Sequence, residues 1–328
     1  MKKKSCITQQ EEINMFRNKS LGGLLVALGP LIGLLLIVVI ITLLNPGFLS
    51  PNNLLNVLRQ VSINALIAFG MTFVILTGGI DLSVGSTLAL SGAVTATLMA
   101  SGVDPVIAVL IGLIVGALLG AFNGVVIAKG KVAPFIATLA TMTIFRGLTL
   151  MFTDGRPVSG LGDSVFFDMM GKGYLFGIPV PALTMLGSFL VLYVILKKTT
   201  FGRRVYAVGG NEEAAVLSGI NADRVKIYVY SLTGFLSALA GAILTSRLSS
   251  AQPTAGQMYE LDAIAAVVLG GTSLTGGRGW IVGTLIGALI IGVLNNGLNL
   301  IGVSSFFQQV VKGSVILLAV LLDRKKNA

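Results

Sequence analysis

The feature that most restricts this chain is how its apolar residues are arranged. They come in long blocks, and the charged residues sit almost entirely at the joins. A block of about 18 or more apolar residues is long enough to cross a bilayer as a helix. Ten such stretches can be read, at roughly 22–44, 61–77, 86–101, 105–128, 134–152, 180–197, 225–248, 261–272, 282–298 and 305–322. They predict an all-α fold, a polytopic membrane protein with about ten transmembrane helices. The second, third and eighth stretches are short, as expected of broken or tilted helices inside a bundle. Composition agrees: 54% of the residues are hydrophobic and 11% charged, where a soluble domain carries about 25% charged residues.

Residues 1–20 form a basic segment expected to be cytoplasmic, and 21–328 the transmembrane domain. The apolar run that starts at Leu21 is too long for a signal-peptide core and has no clear cleavage site after it, so it reads as a retained first span. Leu49–Gln60, with Leu54, Leu55 and Leu58 at helical spacing, reads as a separate amphipathic helix on the membrane surface.

Most of the 23 basic residues fall on one side of this arrangement. Lys129, Lys131, Lys197, Lys198, Arg203, Arg204, Arg224 and Lys226 belong to that side, as do the basic residues of both termini. The positive-inside rule therefore puts both termini, and the loop 198–224, in the cytoplasm. The net charge of +10 is spread over block ends and not gathered on one face, so it points to lipid and not to nucleic acid.

The halves of the chain resemble each other. "GALLGAFNGVVIAKGKVAPF" (Gly116–Phe135) and "GALIIGVLNNGLNLIGVSSF" (Gly287–Phe306) share Gly-Ala-Leu, an Asn-Gly pair and a closing Val-x-x-Phe. The same shift lays stretches two to five over seven to ten, and "GGIDLSVG" (Gly78–Gly85) over "SSAQPTAG" (Ser249–Gly256). An offset of five spans reverses orientation. The expectation is two inverted-topology repeats, about 54–152 and 225–322, which is a transporter signature.

Several chemistries are excluded. There is no histidine and one cysteine, Cys6, so an intrachain disulfide, a His-based metal site and a Ser-His pair are all out of reach. "GGTSLTGGRG" (Gly270–Gly279) has the glycine spacing of a phosphate loop but lacks its Lys and hydroxyl, so it reads as a tight turn. No catalytic residues, metal or cofactor are expected, and the chain is not read as an enzyme.

The candidate pathway residues are Asn64, Asp81, Asn123, Asn295, Asn296, Asn299 and Gln308. Amides on bundle helices hydrogen-bond a neutral polyol, or else join helices to one another. Asp81 either lines the mouth of a pathway or, with Ser83, caps the third span. Arg146 and Lys312 either pair with Asp154, Glu260 or Asp262 or reach out to headgroups.

The loop 198–224 is a soluble-looking island in a greasy chain. Asn211 suits a helix N-cap, Glu212 and Glu213 its first turn, and Gly219 its stop. Gly210, Ala214, Ala215, Val216 and Leu217 complete a short segment whose apolar residues want a partner surface, with the small face expected at Ala214, Ala215 and Leu217.

Five stretches carry a family resemblance: Ile75–Ser86, Phe122–Leu139, Tyr206–Asn221, Ser249–Gly277 and Gly283–Gly313. Through them the chain resembles the permease subunits of bacterial ABC sugar importers, and ribose is the sugar the resemblance points to first. The resemblance implies an inner-membrane homodimer, a cytoplasmic ATP-binding subunit, a periplasmic sugar-binding protein, and a coupling segment at Gly209–Ile220. The competing expectation is an ion- or proton-coupled carrier acting alone, which needs paired ionisable residues inside the membrane.

Overall fold

Proline opens many of the long helices, in the first turn, where its missing N–H leaves no bond unmade and its fixed φ suits the helix. The chain is described here by a computed structural model over residues 29–327. The expectations for residues 1–28, including the basic segment, Cys6 and the start of the first span, lie outside the described residues.

The helices in order are α1 (Gly29–Leu44), α2 (Pro51–Leu76), α3 (Val84–Ala100), α4 (Pro105–Ala128), α5 (Pro134–Phe152) and α6 (Val165–Gly171). There follow α7 (Val180–Lys198), α8 (Thr200–Gly210), α9 (Glu212–Leu217), α10 (Ala222–Leu248), α11 (Tyr259–Leu269), α12 (Ile281–Leu300) and α13 (Ser305–Asn327). A small hairpin, β1 (Tyr174–Leu175) with β2 (Ile178–Pro179), separates α6 from α7.

Six of these helices, among the described residues, are long and apolar enough to cross a membrane: α2, α4, α5, α7, α10 and α12. They fall into two layers. The most apolar stretch of α2 is 78% buried and those of α10 and α12 are 67% and 61% buried, against 28% for α4, α5 and α7. The first three are therefore the core of the bundle and the others its wall. A helix buried on every side needs no polar face, and α2 carries no charge from Val61 to Leu76.

Close packing rests on small residues, as it does where lipid removes the hydrophobic drive between helices. Gly116, Gly120 and Gly124 line one face of α4 and touch the α10 backbone at Gly234, Tyr230 and Ile227. Between α2 and α10, Gly70 lies so near Thr233 that a Cβ on it would stand 2.9 Å from the Thr233 Cα.

Two expectations need correction. Pro51–Gln60 is not a separate surface helix; it is the first part of α2, which runs unbroken for 26 residues. The second span is therefore long, not short. Arg59 and Gln60 look like a boundary in sequence, but nothing there interrupts the backbone ladder. The third and eighth stretches are indeed short, α3 with 17 residues and α11 with 11. Eleven residues rise about 16 Å, roughly half of a hydrocarbon core. Irregular backbone at either end of α11 covers the remainder, and such backbone needs partners. Arg146 supplies them, donating to the carbonyls of Pro253 (2.6 Å) and Ala255 (2.8 Å).

Candidate functional site

A polar cleft of about 560 Å³ opens where the middle of α2 meets the last turns of α10 and α12. That volume is within the range of about 300–1,000 Å³ usual for small-molecule sites. Gln60 and Asn64 come from α2, Asn295 and Asn299 from α12, and Gln252 and Gln257 from the α10–α11 connection. Arg247, Tyr259, Asp262 and Lys312 add a hydroxyl and charge. The charge is partly cancelled: Lys312 Nζ lies 3.0 Å from Asp262 Oδ2, and the Asp262 side chain is 4% exposed. The walls therefore offer amide donors and acceptors, with an internal ion pair at one side. Among the described residues Asn295 Oδ1 is buried without a hydrogen-bond partner, which costs about 1–3 kcal/mol unless something fills it.

The pathway candidates part company here. Asn64, Asn295 and Asn299 line the cleft. Gln308 stands behind it, donating to Asn299 Oδ1 (2.8 Å) and to the Val303 carbonyl. Asn296 is away from the lining and exchanges two hydrogen bonds with Asn53 at 2.9 and 3.0 Å, tying α12 to the start of α2. Sequence reasoning missed Gln60, Gln252 and Gln257. The polar run of Ser249–Gly256 was a signal for the second of these, while Gln60 was hidden in the supposed surface helix.

Asp81 and Asn123 form a second cluster. The Ser83 N–H and hydroxyl donate to Asp81 Oδ1 at 2.9 and 2.7 Å, and Asn123 Nδ2 donates to Ser83 Oγ at 2.7 Å. Asp81 accepts from the residue before α3, and Ser83 makes no side-chain cap bond. Tyr230 and Thr138 donate to the neighbouring Ile80 carbonyl. Burial in this connection, outside the helices, pushes the Asp81 carboxyl up to about 6, with the Ser83 bonds pulling the other way.

The other end of α2 meets the island. There Leu76 O accepts the Gly277 N–H at 3.0 Å, and Gly209 presses on the same carbonyl. A Cβ on Gly209 would fall inside the Leu76 oxygen and 2.7 Å from Gly277 N. Tyr206 donates to the Gly279 carbonyl at 2.8 Å. So α8, the end of α2 and the turn 270–280 touch backbone to backbone.

Beyond this junction Asn211 Oδ1 accepts the Ala214 N–H at 2.9 Å and caps α9. Gly219, at φ +84°, closes it in the left-handed conformation that favours glycine. Glu212 is held by Lys226 at 2.7 and 2.8 Å, which fastens α9 to α10. Ala215 is buried against the chain itself, whereas Leu217 is 88% exposed and Val216 is also exposed. The free apolar surface of the segment is thus Val216 and Leu217, and the small face expected at Ala214, Ala215 and Leu217 is split. No group of three or more metal-ligating side chains occurs among the described residues.

A family model described as branched-chain amino acid transport system / permease component matches residues 53–320. The chain is 66% identical to the ribose import permease protein RbsC of Bacillus subtilis (strain 168), over all of both chains. It is 57% identical to the protein of that name from Escherichia coli (strain K12), covering 90% of this chain and 93% of the other. It is 44% identical to the D-allose transport system permease protein AlsC of the same strain, covering 89% of each. No solved structure matches significantly.

Proposed function

This chain belongs to the branched-chain amino acid transport system / permease component family, and we propose that it is the membrane-spanning permease subunit of an ATP-driven importer of ribose. The observation that carries the reading is the full-length likeness to ribose import permeases. The cleft supports it, because amides suit the many hydroxyls of a neutral sugar and one of its two cations, Lys312, is neutralised by Asp262. In this reading Asn295 Oδ1 accepts from a sugar hydroxyl or its water.

The chain works with a second copy of itself, a cytoplasmic ATP-binding subunit and a periplasmic sugar-binding protein. The cleft faces the periplasm and the α8–α9 segment faces the cytoplasm with both termini, as the distribution of Lys and Arg favours. Leu217 and Val216 seat in a groove of the ATP-binding subunit, and movement there reaches α2 through Gly209 and Leu76. Asp81 and Asn123 hold the α2–α3 connection and do not meet the sugar.

Two inverted repeats relate α2–α5 to α10–α13. Support comes from a pairing pattern that survives exchange of the halves. α2 packs on α12 as α10 packs on α4, and α2 on α11 as α10 on α3. Likewise α3 packs on α4 and α5 as α11 packs on α12 and α13.

Proteoliposomes test this. Those holding the chain with both partners should take up labelled ribose only with ATP, and those holding the chain alone should take up none. Proton-driven uptake by the chain alone would establish a lone carrier instead.

A further inference from the structure

A second cavity, of about 340 Å³, lies where α8 meets the first turns of α10. Its lining includes two cations, Arg204 and Arg224, and two rings, Phe201 and Tyr228. Among the described residues neither arginine has a carboxylate partner, and two of the nearby acids are engaged elsewhere. Asp223 is taken by Lys131 at 3.2 Å and Glu212 by Lys226 at 2.7 Å.

The rings give the cavity an apolar wall that continues into the bundle. Phe201 stacks on Phe73 of α2, with centroids 6.4 Å apart, and meets Tyr228 edge-on at 6.4 Å. Tyr228 is 60% exposed and sits near the start of a helix long enough to span. That is the level at which tyrosines meet lipid headgroups.

We infer that this cavity binds the phosphate of an anionic glycerophospholipid. Two guanidinium groups grip phosphate oxygens with forked, charge-assisted bonds. The ring wall accommodates the glycerol and the upper acyl chain, and basic pockets between helices at a membrane face are suited to such headgroups. An acidic protein segment would satisfy the arginines equally but leaves the apolar wall of Phe201 and Tyr228 without a matching group. The site fastens α8, and with it the backbone junction at Gly209, to the surrounding bilayer.

The test uses the full chain in nanodiscs containing phosphatidylglycerol and phosphatidylcholine, followed by native mass spectrometry of the extracted protein. The wild type should retain phosphatidylglycerol in preference to phosphatidylcholine. Arg204→Gln with Arg224→Gln should weaken that retention about tenfold or more. Arg203→Gln, one residue away but outside the lining, should leave it unchanged. Neither Arg204 nor Arg224 has an ion-pair partner among the described residues, so the double variant should unfold at the wild-type temperature in neutral detergent. If it does not, Arg224→Lys, which keeps the charge and loses the fork, should still give intermediate retention. Stabilisation by inorganic phosphate equal to that by phosphatidylglycerol would overturn the inference in favour of a free anion. Unchanged lipid retention with loss of the ATP-binding subunit would overturn it in favour of a protein contact.

Discussion

Gly209→Ala tests the junction where α8, α2 and the turn 270–280 meet. The new methyl group would overlap the Leu76 carbonyl oxygen and stand 2.7 Å from Gly277 N, wedging apart the 3.0 Å bond between those two groups. Leaving a buried carbonyl unpaired costs about 1–3 kcal/mol. Forcing a methyl into a packed site costs a further ~1–3 kcal/mol. Alanine returns about 1 kcal/mol through its helix preference. The net loss is about 3 kcal/mol, within ~1–5 kcal/mol. Gly210→Ala is the control: nothing lies within 4 Å of a Cβ there, so it should be neutral or slightly stabilising. The chain has one tryptophan, Trp280, placed beside this junction with its Nε1–H donating to Gly270 O at 3.1 Å. Its fluorescence therefore reports on the spot during chemical unfolding in detergent. Gly209→Ala should lower the midpoint and shift the native emission, while Gly210→Ala does neither. Equal behaviour of the two variants would refute the reasoning.

Asp81 predicts a pH effect of definite sign. Its folded pKa, about 6, is above the ordinary 3.8, so stability is full below about pH 4 and falls as pH rises to about 6, by ~3 kcal/mol in all. Asp81→Asn should remove that component, and identical pH profiles of unfolding for both proteins would dismiss it. Breaking the Lys312–Asp262 pair with Lys312→Met should cost about 3–5 kcal/mol in unfolding free energy, and adding Asp262→Leu should recover most of it. A single variant as stable as the wild type would count against a buried pair. Leu217→Arg should abolish capture of the ATP-binding subunit while leaving the thermal midpoint unchanged, whereas Ala215→Arg should lower both. Full capture by Leu217→Arg would remove α9 as the docking element.

The helix ends were readable because proline, asparagine and glycine act locally: Pro105, Pro134, Asn211 and Gly219 do what their chemistry dictates wherever they stand. The continuity of α2 was not readable, because Arg59 and Gln60 stand before the apolar run at 61–77 without interrupting the helix. Nor was α8, whose Gly202 and Gly209 look like helix breakers. They are there because backbone from elsewhere in the chain presses on them. The cleft was half legible. Asn295 and Asn296 are adjacent and chemically identical, yet one lines the cavity and the other holds Asn53. Only the helix's rotation in the finished bundle separates them.

The crossing of α2 and α10 at Gly70 gives α2 a pivot. No side chain of α2 stands between the two backbones there, so the helix has little room to slide sideways at this point. Asn64 at the cleft and Leu76 at the junction each lie six residues away, about 9 Å on either side. Gly70 lies past the middle of α2 but midway between those two contacts, so the two arms are equal. If α2 turns about this point as a rigid rod, a push on Leu76 is expected at Asn64 with equal size and opposite direction. On that expectation, moving the glycine by one turn would change the ratio of the arms, and with it the movement delivered at the cleft for a given movement at the other end.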